Sequence, residues 1–225
     1  LSFFIFYFAT QSTFNMKNNE ALQTVKEIKA LMEKSSKFLS FSGLSIVLIG
    51  VFALIGASVA RRVLLPVKAM PGEYATVEWV DVAPNLMILA VLVFAVSLAT
   101  VFVFAAWKSK KMRQPFFNKV TYRTFVNFFL PLFVGAIFCV ALLFNGNVGI
   151  IAPAMLLFYG LSLINVSKCT YGNIFWLGCC ETIFGLLCAF FPGKGLLFWS
   201  LGFGFLHIAF GVYFYLVVER KEKSA

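Results

Sequence analysis

Residues 174–218 read IFWLGCCETIFGLLCAFFPGKGLLFWSLGFGFLHIAFGVYFYLVV. Two apolar runs, Ile174–Phe191 and Leu196–Val218, are separated here only by Pro192–Gly195. Each is close to the roughly 20 residues that carry an α-helix across about 30 Å of hydrocarbon at about 1.5 Å per residue. The stretch therefore reads as a helical hairpin built for a bilayer. Four further runs precede it: Phe38–Ala60, Leu86–Trp107, Phe125–Phe144 and Val148–Val166. Glu181 is the one acidic residue inside any of the six. The expected fold class is an all-α integral membrane protein with six transmembrane helices and short hairpin loops.

Composition agrees. The chain is 61% hydrophobic with a mean hydropathy of +0.90, beyond the range of soluble globular domains. The net charge of +10 raises the question of a nucleic-acid partner, but the basic residues flank the apolar runs. They carry orientation instead, and no nucleic acid is expected. Of the 19 Lys and Arg, only Arg61, Arg62, Lys68 and Lys194 fall on one side of the alternating topology. Lys108, Lys110, Lys111, Arg113, Lys119 and Arg123 crowd the segment between the second and third runs on the other side, without an acid among them. The positive-inside rule then places both termini in the cytoplasm. Trp107, Trp176 and Trp199 lie near run ends, where aromatic anchors sit at the membrane surface.

Residues 1–15 read as an upstream extension before Met16, and residues 16–37 as a cytoplasmic amphipathic helix. Leu22, Val25, Ile28 and Met32 recur at helical spacing there, with Lys29–Glu33 and Glu33–Lys37 four residues apart. Such a helix rests on the inner leaflet, or residues 19–37 dock a cytoplasmic partner or a second copy. The bundle then occupies residues 38–218, and 219–225 form a basic cytoplasmic tail. Between the first two runs, Arg61–Asn85 is expected as the one sizeable outer loop, and its alternation over 76–82 suits a short strand. A faint repeat lays Gly135–Ile150 on Glu181–Leu196, matching Ile137 with Ile183, Phe138 with Phe184, Phe144 with Phe190 and Gly149 with Gly195.

Glu181 and His207 are the candidate site. Each lies roughly 18–20 Å from the Gly193–Lys194 turn on antiparallel helices, so the two share a depth and a contact between them is expected. Gly178, Glu181, Gly185 and Cys188 share a face of one helix, and Ser200, Gly204, His207 and Gly211 a face of the next. Small residues let membrane helices approach closely. Ionisable groups inside a membrane are costly and mark proton relays or substrate contacts by default. The plainer alternative is a structural hydrogen bond that holds the last hairpin together. A metal site from Cys179, Cys180, Glu181 and His207 converges poorly, because neighbours on a helix point about 100° apart. No metal or cofactor is expected, and a single His leaves no bis-histidine haem within one chain.

Asn127 and Asn165 are the other polar candidates for substrate contact or packing. Pro131 predicts a kink in its run, and Pro153 a first-turn proline. No cysteine falls in an expected outer loop, so a disulfide framework is not expected. No phosphate-binding glycine loop, His-Glu-x-x-His or Ser/His/Asp combination is present. Enzymatic activity has no support.

The stretch from Glu27-Ile28-Lys29 through Met32-Glu33-Lys34-Ser35-Ser36-Lys37-Phe38 to Ser45 resembles the opening of a family of uncharacterised bacterial inner-membrane proteins. Ile151-Ala152-Pro153-Ala154, Tyr159-Gly160-Leu161, Ile164 to Lys168 and Phe191-Pro192-Gly193 to Trp199 look like the same family. The resemblance covers everything after Met16 and implies a bacterial inner-membrane location, with no functional residues carried over. More loosely, Gly185, Pro192–Gly193 and Gly211 resemble the hairpins of HdeD-like acid-resistance membrane proteins. The expected function is a non-enzymatic regulatory, stress-related or assembly role. The alternative is a small proton-coupled permease using Glu181 and His207.

Overall fold

The computed structural model describes residues 42–68, 74–111, 119–191 and 193–220. The expected extension, amphipathic helix and most of the basic tail lie outside the described residues. Among the described residues six helices run in order: α1 Gly43–Lys68, α2 Tyr74–Lys111, α3 Lys119–Phe144, α4 Ile151–Ser167, α5 Ile174–Phe190 and α6 Gly195–Glu219. All but α5 are long and apolar enough to cross a membrane. At 17 residues, or about 25 Å, α5 falls short of a full hydrocarbon core. The outward surface is apolar: Ile55, Val91, Val103, Phe133 and Phe190 are among many large exposed side chains, as expected of a lipid-facing belt.

Turns follow the sequence punctuation. Asn145–Asn147 and a single 3-10 turn, Val148–Ile150, join α3 to α4, and the α5–α6 turn passes through Gly193. Gly146 and Gly193 hold φ of +73° and +81°, a left-handed conformation that costs any other residue roughly 1–2 kcal/mol. The two turns lie one residue out of the repeat's register.

The expected outer loop and strand are overturned. Helix α1 continues to Lys68 and α2 begins at Tyr74, so residues 76–82 are helical and Pro84 lies inside α2. An isolated extended segment has no neighbour to receive its backbone hydrogen bonds, whereas a helix satisfies its own. Among the described residues there is no strand.

Two glycine seams tie the bundle. On the α1–α6 seam, a Cβ on Gly43 would stand 2.7 Å from the Gly211 carbonyl oxygen. One on Gly50 would stand 2.6 Å from that of Gly204. On the α4–α5 seam, Gly160 and Gly178 each press on the other's carbonyl oxygen at 2.8 Å from the would-be Cβ, and Gly185 lies against Leu157 and Pro153. Small residues here bring backbones together with no side chain between them. The glycines of those α5 and α6 faces thus pack on α4 and α1, whereas Glu181 and His207 on the same faces meet each other.

Helix α6 is not uniformly α-helical. Ser200–Leu206 and Tyr215–Glu219 are π-helical, with α-helical Gly195–Trp199 and His207–Phe214 beside them. Short π segments inside helices occur disproportionately at functional sites. The first of these two ends at Leu206, immediately before His207.

Candidate functional site

Glu181 and His207 are completely buried, with the His207 Nδ1 3.2 Å from the Glu181 Oε1. Both sit near the middle of their helices. His207 lies 12 residues from each end of Gly195–Glu219, or about 18 Å. The structure brings the pair together, but not as a simple hydrogen bond. His207 Nδ1 is also 3.1 Å from the Gly202 carbonyl oxygen, which cannot donate, so Nδ1 carries the proton and gives it to that oxygen. The Glu181 Oε1 is left beside this bond, and neither carboxyl oxygen has a hydrogen-bond partner among the described residues.

Gly202 makes the arrangement possible. A Cβ there would stand 2.5 Å from the Glu181 Oε2 and 2.6 Å from the Leu156 Cδ2. The π-helical turn therefore presents a bare backbone to the carboxyl group, and its carbonyl to the imidazole. Position 202 lies outside the α-helical face of Ser200, Gly204, His207 and Gly211, so α-helical spacing does not reveal it.

Tyr159 completes the array. Its hydroxyl lies 2.8 Å from the His207 Nε2; with the proton of a neutral ring on Nδ1, the phenol is the donor to Nε2, and with both ring nitrogens protonated it is the acceptor. Tyr159 is central in α4, eight residues from both Ile151 and Ser167. Three polar groups near the middle of three helices are thus strung together: Tyr159 on α4, His207 on α6 and Glu181 on α5. Sequence reasoning passed over Tyr159. The available signal was a tyrosine at the centre of an apolar run, away from the interfaces where amphipathic rings usually settle.

Tyr159 and His207 also line a cavity of about 840 Å³, whereas Glu181 lies behind them. This volume is within the range of small-molecule sites, which are mostly apolar with a few placed polar groups. Helix α2 rests on α1 and α3 on α4, while α2 and α3 approach one another through Phe102 stacked on Phe125, ring centroids 5.1 Å apart. The space between them forms the cavity, and exposed Val91, Phe94, Leu130 and Phe133 stand at its rim. Its inner wall is aromatic: Phe203 packs on Tyr159 at 5.0 Å and on Trp199 at 5.2 Å. Trp199, expected as an interfacial anchor, lines this cavity, whereas Trp107 and Trp176 are exposed.

Asn127 and Asn165 are brought to one another and not to Glu181 or His207. The Asn165 Nδ2 donates to the Asn127 backbone oxygen at 2.8 Å, and the Asn127 Nδ2 to the Arg123 carbonyl at 2.9 Å and the Cys169 Sγ at 3.3 Å. Both sit at the α3–α4 interface. Cys180 is exposed and Cys179 half-buried. Among the described residues no three His, Cys, Asp or Glu side chains gather as metal ligands.

Compared with protein-family models, with curated proteins and with solved structures, the chain matches none.

Proposed function

We propose that this chain is a non-enzymatic membrane protein that admits a small lipid-soluble molecule between α2 and α3 and couples its binding to a proton held by Glu181 and His207. The observation that carries this reading is the Glu181 carboxyl group, completely buried at mid-helix with neither oxygen hydrogen-bonded to any described residue. A carboxyl kept as structural glue earns its place through hydrogen bonds, since an unsatisfied buried polar group costs stability. One without them, touching an imidazole that reaches a cavity wall, matches the pattern of intramembrane proton sites. Mid-span placement also suits transport, where sites lie near the bilayer midplane.

The membrane frame is part of the same proposal. With the short α5 taken as a span, the chain crosses six times, and the basic residues of the segment joining α2 and α3 put both termini in the cytoplasm. The resemblance of the chain after Met16 to bacterial inner-membrane proteins supports that location. A regulatory or assembly role acting through residues 19–37 rests on residues outside the described structure.

Thermal unfolding in detergent of the wild type and Glu181→Gln, from about pH 5 to pH 8, tests the reading. Glutamine loses no hydrogen bond and removes an ionisable group from an apolar interior. The variant is therefore expected to melt at or above the wild-type temperature. A loss of more than about 4 °C, on the order of 1 kcal/mol for a chain of this size, would return Glu181 to a packing role.

A further inference from the structure

We propose that the cavity ligand is an elongated apolar molecule bearing a hydrogen-bond acceptor, such as a carbonyl, which Tyr159 recognises by donation once His207 takes a proton on Nε2. This rests on the proton-coupled reading above and names the class of molecule it serves.

The argument is one of donors and acceptors. The Tyr159 hydroxyl has a single hydrogen. With His207 neutral and its proton on Nδ1, that hydrogen is committed to Nε2 at 2.8 Å. The phenol oxygen then offers the cavity only lone pairs. When one proton is added to Nε2, the imidazolium donates through both nitrogens. The Nε2–H now gives to the phenol oxygen, and the Tyr159 O–H is released to turn into the cavity. The proton comes from a solvent or buffer acid, whose own bond to hydrogen breaks; at the site one N–H bond forms and one hydrogen bond reverses direction.

Glu181 makes the protonated imidazole tenable. Its Oε1 is 3.2 Å from Nδ1, so the charge that appears on His207 is met by a carboxylate as buried as the imidazole itself. A ligand that needs a donor selects this charge-paired arrangement and carries one proton into the site. A pure hydrocarbon selects neither arrangement.

The surroundings supply no competing switch. Among the cavity-lining residues, α1 brings Ile46, Ile49 and Ala53, which do not titrate. The polar linings of α2 and α3 are Ser97, Thr121, Thr124 and the thiol of Cys139, and α4 brings only Tyr159. The Thr124 hydroxyl is already spent on the Val120 carbonyl at 2.9 Å. Phe128, Trp199 and Phe203 beside Tyr159 favour a flat or conjugated apolar body over a bulky one.

The test compares 2-undecanone with undecane, two chains of equal length of which only the ketone accepts a hydrogen bond. Both are titrated calorimetrically into the full chain in phosphatidylcholine nanodiscs. The ketone is expected to bind about tenfold more tightly, the yield of one hydrogen bond to a desolvated donor. Its binding heat is expected to vary with the ionisation enthalpy of the buffer, reporting uptake of a proton, and that variation is expected to vanish in Glu181→Gln. Tyr159→Phe is expected to erase the ketone's advantage while leaving undecane binding unchanged, which also shows that the variant is folded. Equal affinities in the wild type would overturn the acceptor assignment and leave the cavity reading in place. Binding of neither probe would remove the cavity reading itself.

Discussion

The side-chain amide of Asn165 on α4 donates to the backbone carbonyl oxygen of Asn127 on α3 at 2.8 Å, and Pro131 explains why that oxygen accepts it. In a helix the Asn127 carbonyl would receive the backbone N–H four residues on, at position 131, where proline has none. In a membrane such an oxygen must find another donor. Asn165 supplies it, and the Asn165 Nδ2 also lies 3.3 Å from the Asn127 Oδ1.

Asn165 is therefore expected to matter only because Pro131 is present. Asn165→Leu should lower stability by about 1 kcal/mol, the scale of a membrane helix–helix hydrogen bond. In a Pro131→Ala background, where the backbone donor is restored, the same substitution should cost less than half as much. A double-mutant cycle on thermal unfolding reads the coupling, and additive losses would sink the explanation.

How far the sequence could be read depends on what each feature needed. Run lengths located the helices, because hydrocarbon thickness acts on each segment by itself, but not all their ends: α1 runs on from Ala60 to Lys68, and α2 begins at Tyr74 and not at Leu86. Equal distance from the Gly193–Lys194 turn sufficed to foresee that Glu181 meets His207, since an antiparallel hairpin fixes depth. Helix faces were harder. Gly178 and Gly185 do lie on a buried face with Glu181, but they pack on α4. Periodicity gives a face without saying which neighbour covers it. Gly202 escaped because a π-helical turn breaks α-helical spacing, and no residue type announces one. Tyr159 escaped because its role exists only once α4 and α6 are side by side. Residues 76–82 misled through local alternation, which resembles a strand until the lack of a pairing strand is weighed.

The α1–α6 seam gives a sharp contrast between glycines. At Gly50, a new methyl would stand 2.6 Å from both the Gly204 carbonyl oxygen and the Ile208 Cγ1, and backbone cannot move aside cheaply. Gly172 has nothing within 4 Å of the same position. Gly50→Ala is expected to lower the melting temperature by several degrees, in the range of overpacking losses of about 1–3 kcal/mol. Gly172→Ala is expected to leave it within about 1 °C. Equal effects would mean that α1 does not rest on α6 through bare backbone.

Lys108, near the C-terminal end of α2, and Glu219, at the end of α6, form an ion pair. The Lys108 Nζ lies 3.7 Å from the Glu219 Oε1, with the two side chains only 15% and 10% exposed. The same ammonium donates to the Tyr171 hydroxyl at 3.5 Å and stands 5.8 Å from that ring's centroid. Helix α2 packs mainly on α1 and meets α3 through Phe102, and this cluster ties its far end to α6 and to the turn between α4 and α5. Breaking a sheltered ion pair from one side leaves a charge without compensation, which costs more than the pair itself was worth. Lys108→Met alone is therefore expected to destabilise the chain by about 2 kcal/mol, and Lys108→Met with Glu219→Gln to recover most of that loss. Melting temperatures of the four chains in one detergent decide it. A double variant as unstable as the sum of the singles would show that Lys108 holds α2 through Tyr171 and not through the carboxylate.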